Sequence, residues 1–371
     1  MGARPKIVLV GGDGGRSGVP THIGHLCEVL GDTADLTVIS DRDLGGYAFA
    51  GPFNHIEIDG LATSLNPFAA LRAKTALAAA LAAIKPDLVW AHARMALPMC
   101  RWAMRNAPFG RLVVTYHGLP YGKGHGALVS ALSRAIDCAS LRVADRHDVV
   151  FLTSEDRAAM ARAVAAHRLH VLPNCSWLGG FVAPKESQAG ARRLVMLTRA
   201  SRQKNLDLAA QVFALLPQDF ALALYGMGTE SAALKDRFVA IMGPEAVQRV
   251  TFCGPTNDVR SALARAEGLM VTSRYEGLSI AMIEAMEMGL PVFSTAVGGT
   301  ALIRSLHPMF AEITDPLDRA AAMIDQTVAR YRQETTIWAD RIHTIWAQTF
   351  APQIWAKNVT ALVGEILAVR A

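Results

Sequence analysis

The chain has 371 residues, 51% of them hydrophobic and 19% charged, with a net charge of +5. That length allows two domains with full cores, and that composition excludes a disordered chain. A modest positive excess without a dense lysine and arginine run excludes a nucleic-acid footprint, while it suits anionic small molecules or an anionic membrane surface.

The five cysteines, Cys27, Cys100, Cys138, Cys175 and Cys253, are scattered and form no Cys-x-x-Cys pair, so reduced thiols in a cytoplasmic protein are expected. No apolar run reaches the roughly 20 residues a bilayer-spanning helix needs. The apolar run that ends at Gly11 is too short for a signal-peptide core.

In chain order, Lys6 to Val10 reads as a strand, followed by the glycine-rich loop from Gly11 to Gly18 and a helix from Val19 to Leu30 with Ile23, Leu26, Val29 and Leu30 on one face. A glycine-rich loop between a strand and a helix N-terminus lets an anion or a sugar approach the backbone closely. Gly12-Asp13-Gly14 begins a dinucleotide fingerprint, but Ser17 stands at its third glycine, and Asp41 closes a second strand from Leu36 to Ile39. An NAD-dependent oxidoreductase is therefore one alternative reading.

Leu71 to Ile84 predicts an alanine-rich helix, Leu88 to His92 a strand, Leu97 to Asn106 a helix, and Leu112 to Thr115 a strand. His117 follows that strand, at the carboxyl edge where open α/β sheets bind ligands; a histidine satisfied inside the structure is the plain alternative. Leu128 to Ala144 is amphipathic, with Arg134, Arg142 and Arg146 in or near its polar face, which suits solvent, a membrane surface or an acidic acceptor. Val149 to Ser154 is a strand, Asp156 to Ala166 a helix, and His170 to Asn174 a last strand of this half. Gly179 to Gly190 lacks periodicity and reads as a linker. It separates a first domain over 1–178 from a second over 190–351.

Strands and helices then alternate again. Leu194 to Leu197, Phe220 to Tyr225, Val250 to Phe252, Leu269 to Thr272 and Val292 to Thr295 read as strands. Asn205 to Leu216, Ser231 to Ile241, Val259 to Ala266 and Ala320 to Arg332 read as helices, and the tail with Trp338, Trp346 and Trp355 is largely helical. Two successive alternating halves predict two doubly wound parallel-sheet α/β domains, with ligands at the carboxyl ends of strands in a cleft between them.

The most informative stretch is Ser273 to Pro291. Leu269 to Thr272 enters it as a buried strand, Glu276-Gly277-Leu278 breaks it, Ser279 is an N-cap residue, and Ala281 to Met288 favours helix until Gly289 and Pro291 end it. The helix N-terminus directs free N–H groups and a positive dipole end at the loop, a ready anion site. Glu276 lies in the loop, and Glu284 lies about 7–8 Å along the helix axis. Arg199 and Lys204 follow the first strand of this half, Gly226-Met227-Gly228 its second, and Gly254 its third. Cations, a helix terminus and two carboxylates suit a diphosphate joined to hydroxylated groups.

Taken together, these marks resemble the retaining GT-B glycosyltransferases of family 4, the group 1 glycosyltransferases. The resemblance rests on the loop to Gly18, Lys85-Pro86-Asp87-Leu88-Val89, Thr115-Tyr116-His117-Gly118, Leu172-Pro173-Asn174, Arg199 with Lys204, Gly226-x-Gly228, and Glu276 with Glu284 seven residues between them. It implies a sugar transferred from a UDP- or GDP-sugar to a hydroxyl of a saccharide or lipid-linked saccharide, with retention. It implies that Arg199 and Lys204 grip the diphosphate, Glu284 bonds the ribose, Glu276 bonds sugar hydroxyls and His117 reaches the sugar. Gly277, Leu278 and Ser279 would lie near the donor, as would Gly226, Gly254, Gly15 and Gly18. The last helix, about 352–371, is expected to cross back to the first domain. No cofactor, no divalent metal and no metal-binding pair of aspartates is expected, and contact with the inner membrane face is.

The chain departs from the family at two places: Thr198 precedes Arg199 and Asn205 follows Lys204, where many relatives carry glycine. Other readings on the same fold are a sugar-nucleotide epimerase and a non-catalytic sugar-nucleotide binder.

Overall fold

The computed structural model describes residues 3–11, 17–41, 53–61, 67–92, 96–104, 110–119, 121, 125–142, 147–161, 169–182 and 190–368. The chain divides into two compact units, one of residues 1–121, 127–175 and 353–371, the other of residues 122–126 and 176–352.

The first unit is built on seven parallel strands: β1 (Lys6–Val10), β2 (Asp35–Ser40), β3 (Asn54–Glu57), β4 (Leu88–His92), β5 (Arg111–Tyr116), β6 (His147–Phe151) and β7 (Leu169–Val171). Their order is β3-β2-β1-β4-β5-β6-β7. Helices α1 (Gly18–Leu30), α2 (Pro67–Ile84), α3 (Ala96–Ala103), α4 (Ala127–Arg142) and α5 (Ser154–Ala161) connect them. β4 is buried along its whole length, as expected of a parallel strand covered on both faces. One face packs Val8, Val10, Val89 and Val114 against Leu77 and Leu81 of α2. The other packs Ile7, Leu9 and Trp90 against Ile23 and Leu26 of α1.

The second unit carries six parallel strands: β8 (Arg192–Leu197), β9 (Phe220–Tyr225), β10 (Val250–Gly254), β11 (Gly268–Val271), β12 (Val292–Ser294) and β13 (Phe310–Glu312), in the order β10-β9-β8-β11-β12-β13. Its helices are α6 (Leu206–Ala214), α7 (Ala232–Met242), α8 (Val259–Ala264), α9 (Ile280–Glu287), α10 (Thr300–Leu306), α11 (Leu317–Gln333) and α12 (Thr335–Thr349). The last helix, α13 (Pro352–Ala368), supplies Trp355, Val359, Leu362, Val363 and Ile366 to the core of the first unit.

Both sheets are doubly wound and Rossmann-like, the architecture expected. Each reverses its strand order once, between β1 and β4 and between β8 and β11. Loops leaving neighbouring strands diverge at such a point and leave a crevice at the carboxyl ends. Three elements were not anticipated. β3 is an edge strand with one apolar residue, and α10 and β13 are too short to show a period.

Candidate functional site

At the switch point of the second unit, β8 runs into a loop and a 3-10 turn at Arg202–Lys204, and β11 runs into the loop before α9. Lys204 Nζ lies 2.6 Å from Glu276 Oε1, with the two side chains 20% and 11% exposed. Ser273 Oγ donates to the same carboxylate oxygen at 2.7 Å. Gln203 Nε2 donates to the Tyr275 carbonyl at 3.0 Å and reaches Glu276 Oε2 at 3.4 Å. Arg199 Nη2 joins through Gln203 Oε1 at 3.4 Å. The backbone ties the loops together as well, because Arg274 N donates to the Gln203 carbonyl and buried Thr272 donates to that of Lys204. Arg199, Lys204 and Glu276 thus share one network, and Gln203, which sequence reasoning did not single out, is its bridge.

Asn205 sits at φ +50°, a left-handed conformation asparagine tolerates better than other non-glycine residues. Asparagine can therefore hold this turn without a glycine. Gly226 is at φ +135°, and a Cβ there would lie 1.4 Å from the Thr198 carbonyl oxygen. Its N–H donates to the Gly254 carbonyl at 2.7 Å, and Ala200 N donates to the Met227 carbonyl. Gly226 and Gly254 therefore shape the diphosphate loop candidate through backbone contact. The Gly298-Gly299 turn plays a similar part behind Glu276 to Leu278: a Cβ at Gly298 would meet the Glu276 carbonyl at 2.3 Å.

Gly277, Leu278 and Ser279 lead into α9. Leu278 is 3% exposed, so its side chain belongs to the core and its backbone is what the loop offers. Ser279 occupies the N-cap with extended backbone, but its side chain makes no capping bond, contrary to the capping role its position suggests. No acidic residue lies in the first turn of α9 to compete for its N–H groups.

Glu284 lies further along α9, without a hydrogen-bonding partner for its carboxylate among the described residues and apart from the Lys204–Glu276 network. Burial, with the Glu287 carboxylate adding to it, pushes its carboxyl up to about 7. Glu287, one turn on, is 1% exposed and fully used: it accepts from Ser176 Oγ at 2.6 Å, Leu178 N at 2.9 Å and Gly179 N at 2.7 Å. Trp346 Nε1 donates to Ser176 Oγ behind it. The helix thus carries one carboxylate for structure and one left unpaired. The i, i+3 spacing of the two acids is visible in the sequence, but burial is what tells them apart.

In the first unit the switch point carries a different set. His22 on α1, His92 at the end of β4 and His117 beyond β5 converge, each offering one ring nitrogen within 4.8 Å of the others. His92 Nδ1 lies 3.4 Å from His117 Nε2, and His22 Nδ1 lies 2.9 Å from Asn174 Oδ1. Burial lowers all three rings, His117 to about 4 and the other two well below the usual range, with mutual repulsion adding for those two. Sequence reasoning singled out His117 alone.

Gly18 opens α1 behind the N-cap Ser17. Gly15 and the Gly12-x-Gly14 fingerprint lie outside the described residues. A pair of aspartates with one residue between them does occur, Asp41-Arg42-Asp43, against the expectation of none. Asp41 Oδ1 accepts from Gly60 N at 3.2 Å, and Asp43 lies outside the described residues.

Helix α4 also differs from expectation. Leu128, Val129, Leu132 and Ile136 are 83%, 57%, 60% and 51% exposed, while Ser133 and Asp137 are buried. It buries polar residues and shows its apolar stripe, with Arg134 exposed beside it. Arg146 lies outside the described residues, and no helix among those described is long and apolar enough to cross a membrane.

Residues 16–175 match the family described as Glycosyltransferase Family 4, and residues 191–328 match that described as Glycosyl transferases group 1. Teichuronic acid biosynthesis glycosyltransferase TuaC of Bacillus subtilis is 24% identical over 294 residues, 75% of this chain and 69% of the relative. Vi polysaccharide biosynthesis protein VipC/TviE of Salmonella typhi is 34% identical over 95 residues, 24% of this chain and 16% of the relative. Among solved structures, sucrose-phosphate synthase of Thermosynechococcus elongatus superposes with a TM-score of 0.81 at 19% identity, covering 99% of this chain and 100% of the other. HepE of Anabaena in complex with UDP-glucose gives 0.79 at 16% identity, covering 98% and 100%. At these identities the superpositions show a shared fold, that of the GT-B glycosyltransferases.

Proposed function

We propose that the chain is a group 1 glycosyltransferase that transfers a sugar from a nucleoside-diphosphate sugar to a hydroxyl of a saccharide or lipid-linked saccharide in polysaccharide assembly. A UDP-sugar is the first candidate, because HepE was solved with UDP-glucose, and a GDP-sugar the second. The polysaccharide setting is supported by the names of TuaC and VipC/TviE.

The observation that carries this reading is the Lys204–Glu276 pair, 2.6 Å apart, at the switch point beside Arg199 and the N-terminus of α9. In the proposed mechanism Arg199 and Lys204 hold the diphosphate, and Glu276 accepts bonds from sugar hydroxyls. Glu284 accepts from the ribose, the backbone of Gly277 to Ser279 lies along the phosphates, and His117 bonds the sugar. The bond from the anomeric carbon to the diphosphate oxygen breaks, and charge grows on the leaving phosphate. Each cation about 4 Å away contributes on the order of 4 kcal/mol gross at an effective dielectric near 20, before desolvation. Such charge stabilisation fills the part a divalent ion would otherwise take at the diphosphate. The acceptor oxygen bonds to the anomeric carbon on the leaving-group face, its proton passes to the departing phosphate, and the configuration is retained.

A metal-free thermal-shift panel of UDP, GDP, ADP, CMP and NAD, repeated on Arg199→Ala and Lys204→Ala, tests the assignment. A rise of several degrees with one nucleoside diphosphate, lost in both variants, is expected. A rise with NAD alone would move the nucleotide to the first unit and remove the transferase mechanism.

The acceptor side of the proposal includes peripheral membrane contact through α4. An outward apolar stripe beside a cation suits the interface of an anionic bilayer. Flotation with vesicles containing phosphatidylglycerol is expected to carry the protein, and Leu132→Glu to leave it at the bottom. Equal flotation of the two chains would remove α4 from membrane contact.

A further inference from the structure

We propose that Ser273 is a positioning residue for donor recognition: its buried hydroxyl holds the Glu276 carboxylate in the orientation that meets the sugar hydroxyls. The inference deepens the transferase reading and rests on it. Ser273 opens the stretch that ends at Pro291, but its spacing alone discloses no role.

Three donors converge on Glu276, and they differ in what else each must serve. Lys204 Nζ and Ser273 Oγ meet Oε1 at 2.6 and 2.7 Å, and Gln203 Nε2 reaches Oε2 at 3.4 Å. Gln203 lies nearer the Tyr275 carbonyl, at 3.0 Å, and its amide oxygen faces Arg199, so its hold on Oε2 is the weakest of the three. Lys204 has a flexible four-carbon stem, its side chain is 20% exposed, and in the reading above it also serves the diphosphate. Any turn of its ammonium toward phosphate lengthens its bond to Glu276. Ser273 has no such second duty. It is 2% exposed, a single torsion sets the position of its oxygen, and its one hydroxyl hydrogen goes to Glu276 Oε1.

The backbone beneath Ser273 is braced from the neighbouring strand. Thr295, directly after β12, donates through Oγ1 to the Ser273 carbonyl at 2.6 Å and through its N–H to the Val271 carbonyl at 3.0 Å. Thr300, at the start of α10 and 3% exposed, donates to the Thr295 carbonyl at 3.3 Å and accepts from Val297 N at 3.1 Å. A series of hydroxyls thus runs from α10 through Thr295 and Ser273 to the Glu276 carboxylate. None of them carries a charge, so an incoming anion does not draw them away as it draws Lys204.

The consequence is a division of labour on one carboxylate. An ionised carboxyl group offers about four acceptor positions. As Lys204 turns to the diphosphate, Ser273 fixes which position stays occupied and therefore which ones face the sugar. Binding groups work when held within about 0.5 Å of their productive place by neighbours that are themselves locked. Ser273, buried and braced, is such a neighbour.

The test uses the full chain and compares, by calorimetry, the affinity for a free nucleoside diphosphate with that for its sugar conjugate. The pairs are UDP against UDP-glucose, UDP-galactose and UDP-N-acetylglucosamine, and GDP against GDP-mannose. The ratio of the two affinities isolates the sugar, because the nucleotide is common to both. Ser273→Ala should leave the affinity for the free diphosphate nearly unchanged. It should shift the ratio against the sugar conjugate by about tenfold, the lower end for loss of a hydrogen bond to a charged group. Glu276→Gln should shift the ratio as well, and adding Ser273→Ala to it should move the ratio no further, although the melting temperature falls again. That non-additivity is the sign of a residue acting through Glu276, and a merely structural role would not produce it. A parent chain that binds none of these nucleotides, or a ratio unmoved by Glu276→Gln, overturns the transferase reading of the site, and the role of Ser273 falls with it. A parent chain that binds, with a ratio that Ser273→Ala leaves in place or shifts equally in the Glu276→Gln background, overturns the role of Ser273 alone.

Discussion

The two units solve one geometric problem with opposite chemistry. Each is a parallel sheet whose strand order reverses once, and each gathers its polar residues where the reversal opens the carboxyl edge. In the second unit that edge holds formal charges: Arg199, Lys204 and Glu276 joined through Gln203. In the first it holds three imidazoles that burial keeps neutral. The fold supplies the place in both cases, and the side chains decide what it can bind. Salt and phosphate should therefore act on the second site.

The largest expected effect comes from Gly226→Ala, which damages the second unit's site alone. The added methyl would sit 1.4 Å from the Thr198 carbonyl oxygen on a residue at φ +135°. Backbone must move, and the loop that moves carries Arg199. A loss of about 4 kcal/mol or more is expected in urea denaturation, at the far end of single-substitution effects. The UDP-induced thermal shift should vanish. A loss under about 1 kcal/mol with the UDP shift intact would mean that the loop relaxes freely, and that backbone closeness at Gly226 is not what shapes the site.

The second site was largely legible in the sequence, and the first largely was not. Arg199, Lys204, Glu276 and Gly226 each stand next to a strand end, so their convergence follows once the strands are recognised as parallel. The imidazole cluster joins residues 22, 92 and 117 from a helix and two strand ends. Its existence depends on α1 lying over the sheet and on β4 lying between β1 and β5, an order that periodicity does not disclose. His22 was hidden further by its place on the apolar face of α1, among Ile23 and Leu26. β3 escaped because an exposed edge strand lacks an apolar run, with three of its four residues exposed. The outward apolar stripe of α4 was misread because amphipathicity shows that a helix has two faces without showing which one is covered. Glu287 shows the same limit. Its spacing from Glu284 is plain, yet only packing reveals that three donors converge on it.

A smaller effect separates the two sites by pH. The carboxyl of Glu284 rises to about 7, against an ordinary value near 4.5 in the unfolded chain. Between those values the folded protein holds a proton that the unfolded chain releases. This contribution to stability is fully present below about 4.5 and is lost as pH rises through 7. A shift of that size corresponds to at most about 3 kcal/mol, and solvent reaching the partly buried carboxylate should reduce it to about 1–2 kcal/mol. Glu284→Gln should therefore melt higher than the parent chain at pH 8 and match it near pH 4.5. The same variant should weaken UDP binding at pH 8, where an ionised carboxylate would accept from the ribose. The penalty that Glu284 imposes on the folded protein would then be the counterpart of the bond proposed for it with the ribose. If the parent and Glu284→Gln melt in parallel across that range, the carboxylate is better solvated than its burial implies. If stability shifts as stated but UDP affinity does not, Glu284 is an unpaired acid of α9 and the ribose lies elsewhere.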